Sequence, residues 1–89
     1  MASVHFTSVI QRHVACPTAE ASGETVRAVL ESVFADHANL RSYLLDDQGA
    51  LRKHVTIFVD GEQVRDRAEL SHPVGPHSRL DVMQALSGG

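Results

Sequence analysis

The strongest constraint in this sequence is one stretch of helical periodicity with strand-like segments on both sides of it. Val26, Val29, Leu30, Val33 and Phe34 stand at i, i+3, i+4, i+7 and i+8, which lines them along one stripe of an α-helix. Ser22 precedes the pattern with a hydroxyl able to cap the helix, although Thr25 at the third position after it leaves a capping box incomplete. Glu24 then falls in the first turn, where the helix dipole favours negative charge, and the periodicity fades at Asp36-His37-Ala38-Asn39 after about three to four turns. A helix with one apolar stripe needs another layer to cover it. Strands before and after a single helix therefore predict an α+β domain, a mixed sheet of roughly four or five strands folded over one main helix.

The flanking segments supply those strands. Val4 to Val14 is rich in β-branched and aromatic residues, Val4 and Phe6 alternate with His5 and Thr7, and polar Gln11-Arg12 marks a turn, so a first hairpin is expected there. The clearest strand is His54-Val55-Thr56-Ile57-Phe58-Val59, followed by Asp60-Gly61, a pair suited to the φ > 0 conformations of a two-residue hairpin turn, with Glu62-Gln63-Val64 returning antiparallel. Arg79 to Leu86 alternates as a final strand, and residues 65–78, with Pro73, Gly75 and Pro76, read as a surface connection. Leu40-Arg41-Ser42-Tyr43-Leu44-Leu45, closed by Asp46-Asp47-Gln48-Gly49, fits either a short strand or an irregular packed segment. One domain over 1–84 and a tail over 85–89 are expected.

Size and charge remove several classes of function. A chain of 89 residues buries only about 60% of the surface its unfolded form exposes, which leaves little room for an enzyme cleft. The formal net charge of -3, against a small basic patch of Arg52, Lys53, Arg65 and Arg67, disfavours nucleic acid as a partner. No apolar run approaches the roughly 20 residues of a membrane span, and Met1-Ala2-Ser3-Val4-His5 lacks the features of a secretory signal, so a cytoplasmic protein without membrane contact is expected. Cys16 is the single cysteine and has no partner for an internal disulfide. A nucleophile pair of Cys16 with His13 would still need a shaped pocket and an orienting third group. His72 and His77 bracket Pro73-Val74-Gly75-Pro76 without completing a tetrahedral ligand set, so no metal site is expected. No phosphate-binding glycine loop is present, so no bound nucleotide or other cofactor is expected either.

Chemistry is expected at Ala85-Leu86-Ser87-Gly88-Gly89. Two glycines offer no side chains to clash in a narrow cleft, and five extended residues reach roughly 15 to 18 Å. A free α-carboxylate with a pKa of about 3.3 to 3.7 is ionised at neutral pH and is a poor acyl donor until something outside the chain activates it. The dipeptide alone also fits an ordinary frayed terminus.

The order of elements with this ending resembles the β-grasp, or ubiquitin-like, fold. More narrowly, the chain resembles the MoaD/ThiS family of sulfur carriers, through Ser22-Gly23-Glu24-Thr25-Val26, Leu51-Arg52-Lys53-His54-Val55-Thr56-Ile57-Phe58-Val59-Asp60-Gly61-Glu62 and Ala85-Leu86-Ser87-Gly88-Gly89. The middle segment looks closest to the carrier of a cysteine-forming pathway. The resemblance implies a protein cosubstrate, not an enzyme. An adenylating enzyme of the ubiquitin-activating type would use ATP on the Gly89 carboxylate, and sulfur would then replace the adenylate to give a thiocarboxylate. Gly88, Ser87 and Leu86 would occupy the partner's channel. A biosynthetic enzyme, cysteine synthase-like or a molybdopterin synthase large subunit, would accept the sulfur, and a metalloprotease could act at the tail. Since a few extended residues bury little area, partners should also meet the sheet beside the tail, with Phe58, Val82, Met83 and Leu86 as candidates and Arg52 and Lys53 facing an acidic patch. For each apolar strand residue, a place in the core is the competing reading. A ubiquitin-like modifier joined to targets through Gly89, or a binding module with an idle tail, are the competing functions.

Overall fold

The computed structural model describes residues 1–8, 10 and 18–84. Its elements in chain order are β1 (Ala2–Phe6), β2 (Ala19–Ala21), α1 (Val26–Asp36), α2 (Ala38–Leu44), β3 (Val55–Val59), β4 (Glu62–Gln63) and β5 (Arg79–Gln84). The strands form a five-stranded sheet in the order β2-β1-β5-β3-β4. β1 and β5 run parallel, with Val4 opposite Leu80 and Phe6 opposite Val82, while the other neighbours are antiparallel. Parallel neighbours need a crossover rather than a hairpin, and the helices supply it.

All five residues of the predicted stripe, Val26, Val29, Leu30, Val33 and Phe34, are buried on α1. The cap differs from the expectation. Thr25, in extended backbone at φ -136 and ψ 162, accepts from the Ala28 N–H through Oγ1 at 3.2 Å, so the helix begins at Val26 and Ser22 and Glu24 lie before it. The first amides of the helix are satisfied by the chain that passes over them: Val26 N donates to His72 O at 3.0 Å and Arg27 N to Leu70 O at 2.9 Å. Residues 65–78 are therefore more than a surface connection, and Leu70 and Val74 are buried in the core. Gly23 lies so close to α1 that a Cβ there would stand 2.7 Å from Val29 N.

The undecided segment around residues 40–45 is helical. Leu40 and Leu44 are one turn apart on α2 and both are fully buried, with Tyr43 between them, at i+3 from Leu40, packed partly buried against the same core. The first hairpin is also longer than expected. Its return strand is β2, with Ala2 opposite Ala21 and Val4 opposite Ala19, rather than a strand directly after Gln11-Arg12. Ala19 and Ala21 have little strand propensity of their own; they pair because β1 offers free backbone groups at its edge and small side chains fit against α1. The Asp60-Gly61 turn forms as predicted, with φ of 50 and 86, and Val59 pairs with Glu62 across it.

One face of the sheet meets the helices through Ala2, Val4 and Phe6, Val55, Ile57 and Val59, and Leu80 and Val82. Ser3, His5, Thr56, Phe58, Arg79, Asp81 and Met83 alternate with them and face away. Long connections are pinned by arginines. Arg27 donates through Nη2 to Gly49 O at 2.7 Å and Ala68 O at 2.9 Å, and Arg67 donates to Arg52 O at 2.5 Å and Val55 O at 2.7 Å. The second of these fixes the start of β3, beside the end of β5.

Candidate functional site

The last strand of the sequence occupies the middle of the sheet. β5 is held by β1 on one side, where Thr7 N donates to Val82 O at 3.1 Å, and by β3 on the other, where Gln84 stands opposite Val55. Whatever follows Gln84 thus starts from a strand paired with β1 as far as Val82 and with β3 as far as Gln84 itself. Leu86, Ser87, Gly88 and Gly89 lie outside the described residues, as do His13 and Cys16.

Alternation along β5 sends successive side chains to opposite faces at this end. Gln84 turns toward the helices, where the Tyr43 hydroxyl of α2 donates to its Oε1. The Tyr43 ring is also edge-on to His54, with centroids 6.1 Å apart and planes at 88°. His54 directly precedes Val55, the residue paired with Gln84, so α2, β3 and β5 converge on one cluster. Sequence reasoning did not single out Tyr43, His54 or Gln84. The signal available was the i, i+3, i+4 spacing of Leu40, Tyr43 and Leu44, which would have put Tyr43 on a helix.

Met83 turns the other way and is 39% exposed on the open face. Its partner across β3 is Thr56, and the next pair along is Phe58 with Asp81, so half-buried Phe58 and Met83 are diagonal neighbours in an apolar spot beside the strand end. The surroundings are polar. Arg79 grips Asp81 at 3.1 Å, His5 is the β1 residue opposite Asp81, and His5 Nε2 lies 3.2 Å from Ser3 Oγ. His5, Thr7, Asp81 and Met83 line a shallow depression on this face.

Val82 requires a correction. It is 0% exposed and packs against the helices, because its position in the alternation is that of Leu80, so it belongs to the core and offers partners nothing. Arg52 and Lys53 also separate. Arg52 Nε donates to Ser42 O at 3.0 Å near the end of α2, whereas Lys53 is exposed. Of the histidines weighed as ligands, His77 is exposed and His72 Nε2 lies 3.5 Å from Glu62 Oε1. Among the described residues no three metal-ligating side chains converge, and no helix is long and apolar enough to cross a membrane.

Comparison with known proteins agrees with this geometry. The model of the ThiS family matches residues 11–89. The sulfur carrier protein CysO of Mycobacterium tuberculosis is 30% identical over 71 residues, which are 78% of this chain and 76% of that protein. A chain in the crystal structure of the Amycolatopsis orientalis BexX/CysO complex superposes with a TM-score of 0.85 at 24% identity, covering 100% of each chain. SAMP1 from Haloferax volcanii superposes with a TM-score of 0.78 at 21% identity, covering 99% of this chain and 98% of that one. At such identities the structural matches show the fold alone, a ubiquitin-like β-grasp. Together with the sequence matches they lead to one conclusion: the chain belongs to the ThiS family of ubiquitin-like sulfur carriers.

Proposed function

We propose that this chain carries sulfur as a thiocarboxylate on Gly89, formed and consumed by partner enzymes. The observation that carries the reading is that the family match runs through residue 89, onto Gly88-Gly89, from a strand end held at the centre of the sheet. Activation follows from the chemistry of a carboxylate. A Gly89 oxygen attacks the α-phosphorus of ATP in an adenylating enzyme of the ubiquitin-activating type, pyrophosphate leaves, and the carboxylate becomes a mixed anhydride with AMP. Hydrosulfide from a sulfur donor then attacks the carbonyl carbon, the bond from that carbon to the AMP oxygen breaks, AMP leaves, and loss of the proton gives the thiocarboxylate. The product is an anionic sulfur nucleophile at neutral pH, which a carboxylate oxygen cannot imitate. ATP and catalysis belong to the partner, and this chain is the cosubstrate.

The similarity to CysO favours a cysteine-forming acceptor over a molybdopterin synthase large subunit. In that branch the Gly89 acyl group would become joined to the product, and a metalloprotease acting at the tail would hydrolyse that bond, water supplying the oxygen of the regenerated Gly89 carboxylate. Phe58 and Met83 on the open face, with exposed Lys53 just before β3, form the surface offered to partners, and Leu86, beside the glycines in sequence, is a further contact. The likeness to SAMP1, a small archaeal modifier protein, concerns the fold, so the modifier reading stands second.

The test is ATP–pyrophosphate exchange by the cognate adenylating enzyme with this chain as acceptor. Exchange should depend on the full chain, vanish when Gly89 is removed, and fall by about tenfold or more in Gly88→Ala, because an added methyl must fit where only hydrogen did. Normal exchange by Gly88→Ala, or by the chain lacking Gly89, would contradict the assignment. Circular dichroism should show both variants folded.

A further inference from the structure

We infer that Tyr43 is a positioning residue for the transfer chemistry, fixing through Gln84 the orientation of the strand end that precedes residues 85–89. This inference rests on the carrier reading and concerns how the carboxylate is delivered.

The β1 ladder ends at Val82, so the backbone at Gln84 is paired with Val55 of β3 on one side, and pairing on one side leaves an end free to twist about its own axis. Gln84 is the last residue of β5, and its side chain is the handle by which that twist can be fixed. Tyr43 reaches it from a different layer, donating its hydroxyl to Gln84 Oε1 across 41 positions of sequence. The tyrosine is itself fixed. Leu40 and Leu44 on either side of it are fully buried, and its ring packs edge-on against His54. The latch thus ties β5 to a rigid part of the molecule and to the first turn of chain before β3.

Leverage gives this contact its effect. Five residues drawn out extended in a partner's channel would span at most roughly 17 Å, so a change of about 20° at Gln84 would displace the far end by about 6 Å. A misplacement of about 1 Å at reacting atoms can lower a rate by about a hundredfold. The docking surface of Phe58 and Met83 faces the other side of the sheet and does not depend on the latch. Loosening the latch should therefore leave binding of the domain intact while fewer bound complexes present the carboxylate correctly.

The experiment measures kcat and KM for pyrophosphate exchange with the full chain, alongside 15N relaxation of the free protein. Tyr43→Phe keeps the ring against His54 and removes only the hydroxyl. Expected are a fall in kcat of about fivefold at unchanged KM, the loss of one ordinary hydrogen bond, and a lower order parameter at the Gln84 amide. Gln84→Leu should reproduce both effects, and the double variant should lose no more than either single one. Unchanged kcat, a change confined to KM or to thermal stability, or losses that multiply in the double variant would overturn the inference alone. Absence of exchange with the unaltered chain would overturn the carrier reading, and the positioning role with it.

Discussion

Asp66 shows how much of this fold is built by single side chains. Its carboxylate accepts from the Ser71 hydroxyl at 2.5 Å, from Glu69 N at 2.9 Å and from Ser71 N at 3.2 Å. Those bonds, the Ser71 hydroxyl first, lower its pKa from the usual 3.8 to about 2. They close a turn in which Leu70 is held at φ 54, a left-handed conformation that a leucine resists by roughly 1–2 kcal/mol. Leu70 keeps it because its side chain is in the core and its carbonyl takes the Arg27 amide. The folded-state pKa is depressed, so the carboxylate stabilises the fold above the usual value, and that contribution is lost as pH falls from about 4 towards about 2. Asp66→Asn should therefore be less stable than the unaltered chain at neutral pH, with the difference narrowing over that acid range in urea titrations. A difference independent of pH would show that the ionised carboxylate is not what holds the turn. None of this was legible in the sequence, since Asp-Arg-Ala-Glu-Leu-Ser does not reveal which backbone amides a side chain will meet. The expectation for Gly88 and Gly89 rests on their lack of side chains and concerns residues outside the described ones.

Among the elements, legibility followed the number of residues that repeat a pattern. Five apolar positions announced α1, and six alternating residues with Asp-Gly announced β3 and its turn. α2 carries only Leu40 and Leu44, and β2 only small alanines about one glutamate, so both depend on what packs against them. Helix boundaries were set by tertiary contacts as well. Ser22 and Thr25 are both competent caps by residue type, but Thr25 is the one beside the first turn, with Pro73 bridged to it and Leu70 and His72 carbonyls covering the next amides. Thr25→Ala should lower stability by about 1 kcal/mol, shifting the urea midpoint without changing the slope. Ser22→Ala should shift it by far less. The reverse ranking would return the cap to the position expected from sequence.

At the scale of the whole molecule, the parallel pairing of β1 with β5 is the contact on which the carrier reading depends. It joins opposite ends of the sequence and puts the last strand in the centre, where neither local periodicity nor turn chemistry could place it. The sheet has one face closed by helices and one open, and its central strand ends between a latch on the first face and Met83 on the second. The sequence pattern supplied the α+β class, while the expected tail over 85–89 lies outside the described residues. The assignment of Val82 failed because alternation gives two faces without saying which one the helices cover. The most direct test of the carrier reading is the intact mass of the full chain after incubation with its adenylating enzyme, ATP and a sulfur donor. A gain matching exchange of one oxygen for sulfur, abolished when Gly89 is removed, is the predicted result; an unchanged mass, or covalent conjugates to other proteins in its place, would contradict it.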